Sequence, residues 1–168
     1  MKVDVLGLGE SLRTYVRSNN YKIGVNDIFK RHTVDALVCV DRINAFTPER
    51  FATIKATPYS IFYTHLEEWK NHLRDVQLIK LSGPRGSIKG IESNDVPYSN
   101  NSTFVAVVLA YKHGATEINI FGVDFNTHPN FKDRKGDVAL KDFKKLFDYL
   151  RSKKIKINVS TGSRLKEL

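Results

Sequence analysis

Three polar segments fall where an apolar run stops, and their residue types suit the handling of phosphates and sugar hydroxyls. Gly7-Leu8-Gly9-Glu10-Ser11-Leu12 follows the run at residues 3–6, and Asn26-Asp27 follows residues 22–25. Ser99-Asn100-Asn101-Ser102-Thr103 opens a long apolar stretch that leads to Ile118-Asn119-Ile120-Phe121-Gly122-Val123-Asp124. Gly7-x-Gly9 permits a tight turn and close approach of backbone to a phosphate, or equally the packing of a strand against a helix. Ser11 can give its hydroxyl to a phosphate or cap the next turn. The Asn26 amide both donates and accepts, as a base or ribose requires, although it could instead satisfy a turn. A helix start needs one cap, so Asn100, Asn101, Ser102 and Thr103 together are a surplus that suggests anion binding.

Asp41 and Asp124 each follow apolar residues at a strand end, where a carboxylate can bind ribose hydroxyls, orient an acceptor or cap a turn. For a general base the sequence offers Asp124 and His128, the one histidine in the loop after Asp124. A dinucleotide fingerprint would carry a third glycine at position 12, which is Leu12, and this argues against NAD or FAD. There is no Asp-x-Asp pair, and His32, His65, His72, His113 and His128 lack ligand spacing, so no metal site is expected.

Positioning these loops calls for strands that end at one edge. Strand-like runs recur at residues 3–6, 22–25, 36–40, 60–63, 76–81, 117–122 and 155–159. Helix-like segments at 11–17, 48–55, 66–75, 102–113 and 139–152 fall between several of them. The alternation predicts an α/β fold with a mainly parallel sheet and helices on both faces. Ligands of such sheets sit beyond the carboxyl ends of the strands. Thr47 and Pro48 mark one helix start, and Lys112-His113-Gly114 closes the apolar helix, which should be the most buried one. Leu140, Phe143, Leu146, Phe147 and Leu150 form a core stripe on the last helix. Two long connections, 82–101 and 126–137, have the length of lids or substrate loops, and Gly83, Gly86 and Gly90 would let the first one move.

With 168 residues, a single nucleotide-binding domain over residues 1–168 is expected, and 41% hydrophobic residues suit a folded core. The balance of 27 Lys and Arg against 18 Asp and Glu gives a charge of +9, which favours anionic partners. Nucleic acid is one such partner, but no nucleic-acid-binding motif accompanies the charge, so it is not favoured. The longest apolar stretch, 104–111, is far short of the roughly 20 residues that span a bilayer, and no signal peptide is visible. Cys39, the single cysteine, reads as a buried thiol and fits a cytoplasmic protein.

The same residues resemble a known group. Gly7-x-Gly9-Glu10-Ser11-Leu12 is similar to the opening Gly-x-Gly-Pro-Ser-Leu of the small bacterial sialyltransferases and of the related 6-hydroxymethylpterin diphosphokinase-like proteins. Val25-Asn26-Asp27-Ile28-Phe29 resembles their second-strand segment, in which an asparagine precedes an aromatic. Ser99-Asn100-Asn101-Ser102-Thr103 and Ala115-Thr116-Glu117-Ile118 resemble their Ser-Gly-rich helix start and Gly-x-x-Glu-Ile. Gly122-Val123-Asp124-Phe125 resembles their Gly-Ile-Asp-Phe. The resemblance implies a three-layer, Rossmann-like fold with phosphates near Gly9, Ser11 and the Ser102 helix start. It further implies a glycosyltransferase that passes the sugar of a CMP-sugar donor to a glycan or small alcohol, with neither metal nor cofactor. The alternative within the group is diphosphate transfer from ATP to a pterin, which needs magnesium. A binding module without catalysis is the reading from another class. Two departures stand out: Glu10 replaces the proline, and Lys132-Asp133-Arg134-Lys135-Gly136-Asp137 lacks the basic histidine that precedes the late helix of the sialyltransferases. His128 would be its displaced substitute.

Overall fold

The computed structural model describes residues 1–125 and 134–168. Seven parallel strands form the main sheet: β1 (Lys2–Leu6), β2 (Tyr21–Val25), β3 (Ala36–Val38), β4 (Ile61–Thr64), β5 (Val76–Leu78), β8 (Glu117–Phe121) and β9 (Lys156–Val159). A small separate pair, β6 (Leu81–Ser82) and β7 (Val96–Pro97), is also parallel. The strand order is β5-β4-β3-β2-β1-β8-β9. The chain builds outward from β1 to β5, then returns to lay β8 on the other flank of β1. The β1/β8 boundary is therefore the point where the order reverses, the place where open α/β sheets bind ligands.

Alternation along the strands sends Val3, Val5, Ile118 and Ile120 to one face, under α2 (Ser102–Lys112) and α3 (Arg134–Ser152). Asn101 caps α2, accepting from the Thr103 and Phe104 N–H groups, and Gly114 at φ +84° ends it. Residues 102–110 of α2 are all buried, because sheet, α3 and the 82–101 segment enclose the helix. Leu6, Leu12, Leu37, Phe62 and Trp69 fill the opposite face with α1 (Pro48–Ala56). Thr47 accepts from Arg50 N at 3.3 Å and Pro48 takes the first turn, as the sequence predicts.

Two of the expected helices are short 3-10 turns, Glu10–Thr14 and Glu67–Asn71. Each holds or borders a pinned aromatic. The Tyr15 ring packs on Phe121 at 4.9 Å while its hydroxyl reaches Asp4. Trp69 is fully buried and its indole N–H donates to Asp41 O at 3.1 Å. Helical layers thus cover both faces, but the second face is thinner over β8 and β9. There the register aligns Asp4, Asn119 and Asn158 on three neighbouring strands. Asn119 donates to Asp4 at 2.8 Å and Asn158 to Asn119 at 2.7 Å, so that stretch of sheet is held by amides instead of an apolar lid.

Candidate functional site

At the carboxyl ends of β1, β2, β3 and β8 lies a cavity of about 750 Å³. Its lining brings together Gly9, Asn26, Asp41, Asn100, Asn101, Ser102, Thr103 and Asp124, residues the sequence singles out from five separate segments. Gly7 and Ser11 do not line it. His128, with the rest of residues 126–133, lies outside the described residues.

The two glycine loops are joined back to back. Gly7 N donates to Phe121 O at 2.8 Å and Gly9 N to Gly122 O at 2.7 Å. A Cβ on Gly7 would stand 2.4 Å from Gly122 O, and one on Gly9 would stand 2.8 Å from the same atom. Side chains are excluded by a neighbouring backbone, so both glycines are accounted for by the closure of the switch point. Gly9 also borders the cavity, whereas Gly7 serves packing alone.

Ser11 faces inward. It is buried, its N–H donates to Asp124 Oδ2 at 2.7 Å, and its hydroxyl donates to Asp124 Oδ1. The same hydroxyl accepts from Gly122 N at 3.1 Å and from Ser160 Oγ at 2.9 Å. In this geometry Ser11 has nothing left to offer a phosphate, and the phosphate contact expected of it is replaced by a clasp between β1 and β8. Asp124 borders the cavity with both oxygens already accepting, which leaves it poorly placed to take a proton from an acceptor.

The Ser99–Thr103 surplus is also largely engaged within the protein. Asn101 Oδ1 accepts from Thr103 N at 2.9 Å and from the Thr103 hydroxyl, and Ser99 Oγ accepts from Asn101 N at 3.0 Å. Ser102 Oγ donates to Asn26 Oδ1 at 3.4 Å and accepts from Val40 N at 3.3 Å. Asn26 sits at φ 51°, a left-handed conformation that asparagine tolerates. Asn100 is exposed and borders the cavity with no side-chain hydrogen bond among the described residues.

Three lining residues escape the sequence reading: Arg50, Arg85 and Asp142. Arg50, in the first turn of α1, donates from Nε and Nη2 to Asp27 Oδ1 at 2.9 and 2.7 Å. Arg85 stands in the Gly83-Pro84-Arg85-Gly86 turn, 4.0 Å from Asp142 Oδ2. An arginine between glycines in a long connection is a signal that could have been followed. Asp142 is hidden among the lysines of α3, yet it lies four residues beyond Val138 on the strip facing the cavity. Burial raises the Asp142 pKa, with Lys145 and Arg85 pulling the other way. Burial likewise raises that of Asp41, against Arg50 and His65. Cys39 is buried behind the site, and desolvation pushes its thiol up and out of reach as a nucleophile.

The 82–101 segment is tied down more firmly than its three glycines suggest. The β6/β7 pair closes its ends, Lys112 Nζ donates to Ile91 O and Ser93 O, and Tyr111 and Tyr149 both donate to Glu92.

The parallel sheet, with a cavity at its switch point, is an α/β fold. No model of a known protein family matches the chain, nor does any curated protein sequence. Solved structures do. The sialyltransferase CstII from Campylobacter jejuni, in complex with the substrate analogue CMP-3FNeuAc, superposes with a TM-score of 0.59 at 14% identity. That match covers 95% of this chain and 79% of that one. CstII in complex with a trisaccharide acceptor and CMP superposes at 0.62 with 15% identity, covering 99% and 84%. Monomeric CstII gives 0.61 over the same shares at 15% identity. At such identity the likeness establishes the fold. These matches lend no support to the pterin diphosphokinase alternative. Among the described residues no helix is long and apolar enough to cross a membrane.

Proposed function

We propose that this chain is a nucleotide-binding transferase of the sialyltransferase type, which holds a CMP-sugar in the switch-point cavity and passes the sugar to a hydroxyl of a glycan or small alcohol. The observation that carries this reading is the convergence of Gly9, Asn26, Asn100 and Arg85 on one cavity of about 750 Å³. That volume suits a nucleotide-sized ligand. Arg50 and Arg85 line the same cavity, each beside a carboxylate, so the phosphate of a donor meets cationic groups there without being the only part of the ligand that is held. Support also comes from the fold's likeness to structures that contain CMP and an acceptor trisaccharide.

A thermal-shift screen of CMP, CDP, UDP, GDP and ATP, each with and without magnesium, tests the proposal. CMP at about 100 times its dissociation constant stabilises the fold by roughly 2.7 kcal/mol, or about 5–11 °C for a domain of this size. The shift is independent of magnesium. Stabilisation by ATP only with magnesium overturns the CMP assignment in favour of diphosphate transfer. No shift with any nucleotide removes the ligand from the cavity altogether.

A further inference from the structure

Three carboxylates border the cavity, and they differ in how they are held. Asp124 is fixed, but both of its oxygens accept hydrogen bonds from Ser11. Asp41 is open, with no hydrogen bond or ion pair to its carboxylate among the described residues. Only its backbone carbonyl is engaged, by Trp69. Asp142 alone of the three is both held and left without a hydrogen-bond donor among the described residues. It projects from α3, its side chain is 13% exposed, and its nearest charged neighbour is Arg85 at 4.0 Å. The Arg85-Gly86 turn is shaped around it: a Cβ on Gly86 would stand 2.0 Å from Asp142 Oδ1, and Gly86 takes φ +75°. The turn is itself anchored, Gly86 N donating to Tyr98 O at 2.9 Å. A carboxylate confined by a backbone yet free of donors is what proton abstraction in a cavity needs.

We propose that Asp142 is the general base of this site, taking the proton of the acceptor hydroxyl as that oxygen attacks the anomeric carbon of the donor. The assignment rests on the transferase reading above. In the step, the acceptor oxygen forms the new bond to the anomeric carbon as the anomeric carbon–phosphate oxygen bond breaks. The nucleoside monophosphate leaves with that electron pair, and the acceptor proton passes to Asp142 and then to water. Arg85, at 4.0 Å, favours the ionised carboxylate against the burial that opposes it.

The base works only when ionised, so turnover rises as pH climbs through the Asp142 pKa and levels above it. Burial sets that pKa above the ordinary carboxylate value, while Lys145 on the same helix and Arg85 on the facing turn lower it. Arg50, Asp41 and Asp124 are the other charged groups that line the cavity.

The test uses the full chain with CMP-N-acetylneuraminic acid as probe donor and water as acceptor, following CMP release. Binding of CMP is measured by calorimetry on the same samples. Asp142→Asn is expected to lower kcat by roughly 10²–10⁴-fold, leave the CMP dissociation constant nearly unchanged and abolish the acidic limb of the pH profile. Asp142→Glu should recover part of the rate. A wild-type rate in Asp142→Asn overturns the assignment, as does loss of turnover in Asp41→Asn with Asp142→Asn intact. If Asp142→Asn does not fold, the wild-type profile decides, and a rate that is flat down to pH 4 overturns the assignment. CMP binding without turnover by the wild type also overturns it, because no proton is then being moved. Failure of the wild type to bind CMP instead overturns the reading of the cavity.

Discussion

Ser11→Ala separates a ligand-binding serine from a structural one. The hydroxyl lost in this variant donates to a carboxylate, a bond worth about 1.5–3 kcal/mol, and accepts from the buried Gly122 N–H and from Ser160. A buried donor left without an acceptor costs about 1–3 kcal/mol. The losses do not add in full, since the Ser160 hydroxyl can turn and Asp124 keeps the Ser11 N–H bond at 2.7 Å. A net destabilisation of about 2–4 kcal/mol follows, which lowers Tm by roughly 4–16 °C at about 2–4 °C per kcal/mol. Urea unfolding should show a lower midpoint with an unchanged slope. CMP calorimetry on the folded variant should show at most a modest loss, because the hydroxyl does not border the cavity. A variant with wild-type Tm and an affinity about tenfold weaker, a difference of about 1.4 kcal/mol, would refute the clasp and return Ser11 to the ligand.

Asn26→Gly keeps the left-handed backbone of φ 51° while removing the amide that meets Ser102 at 3.4 Å. It should therefore weaken CMP binding by about 2–13-fold, equivalent to about 0.5–1.5 kcal/mol, with little change in Tm. Unchanged calorimetric affinity would place the nucleotide away from β2. His65 has a buried Nδ1 without a partner among the described residues, and desolvation lowers its pKa. A lowered histidine pKa means that the unfolded chain binds more protons, so the associated stability is complete above about pH 6.5 and is lost as pH falls through the folded value. His65→Gln should flatten that decline in urea titrations between pH 7 and 5, and an identical decline in the variant would rule the histidine out as its source.

Much of the architecture is legible in the sequence because β1, β2, β5, β8 and β9 carry apolar residues at every second position, while β3 and β4 are nearly continuous apolar runs. Parallel strands buried on both faces read in the latter way. The polar entry at Ser99–Thr103 and the Lys112-His113-Gly114 exit also identify α2 despite its β-branched content. The two 3-10 turns were not legible, since Tyr15 and Trp69 pin them through contacts with Asp4, Phe121 and the Asp41 carbonyl. Local propensity does not encode such anchors. Ser11 presents the same difficulty: a serine after Gly-x-Gly reads as a ligand group until Asp124, 113 residues on, is seen to occupy it. Arg50, Arg85 and Asp142 were missed for the opposite reason. Charges on a helix face or in a long turn read as solvated, and only the tertiary fold turns these three inward.

The pattern of engagement limits how this site can choose a ligand. Of the polar groups that open α2, Asn101, Thr103 and Ser102 are bonded to one another, to backbone or to Asn26. The cap already consumes two of the helix's N-terminal N–H groups, so the α2 start is not an open cradle for any anion. Both cavity arginines likewise have acidic neighbours, Asp27 for Arg50 and Asp142 for Arg85. A bare phosphate would compete with those carboxylates for the same guanidinium groups, and gain little. Among the described residues, the lining groups left without a hydrogen bond include Asn100, the Asn26 amide nitrogen and the Asp41 and Asp142 carboxylates, two amides and two pure acceptors. Acceptors are satisfied by hydroxyls, so on the transferase reading proposed above the sugar hydroxyls of the donor would meet these carboxylates. On that reading, discrimination between a nucleotide-sugar and a free nucleotide would fall on Asp41 and Asp142, the two carboxylates whose desolvation a phosphate alone leaves uncompensated.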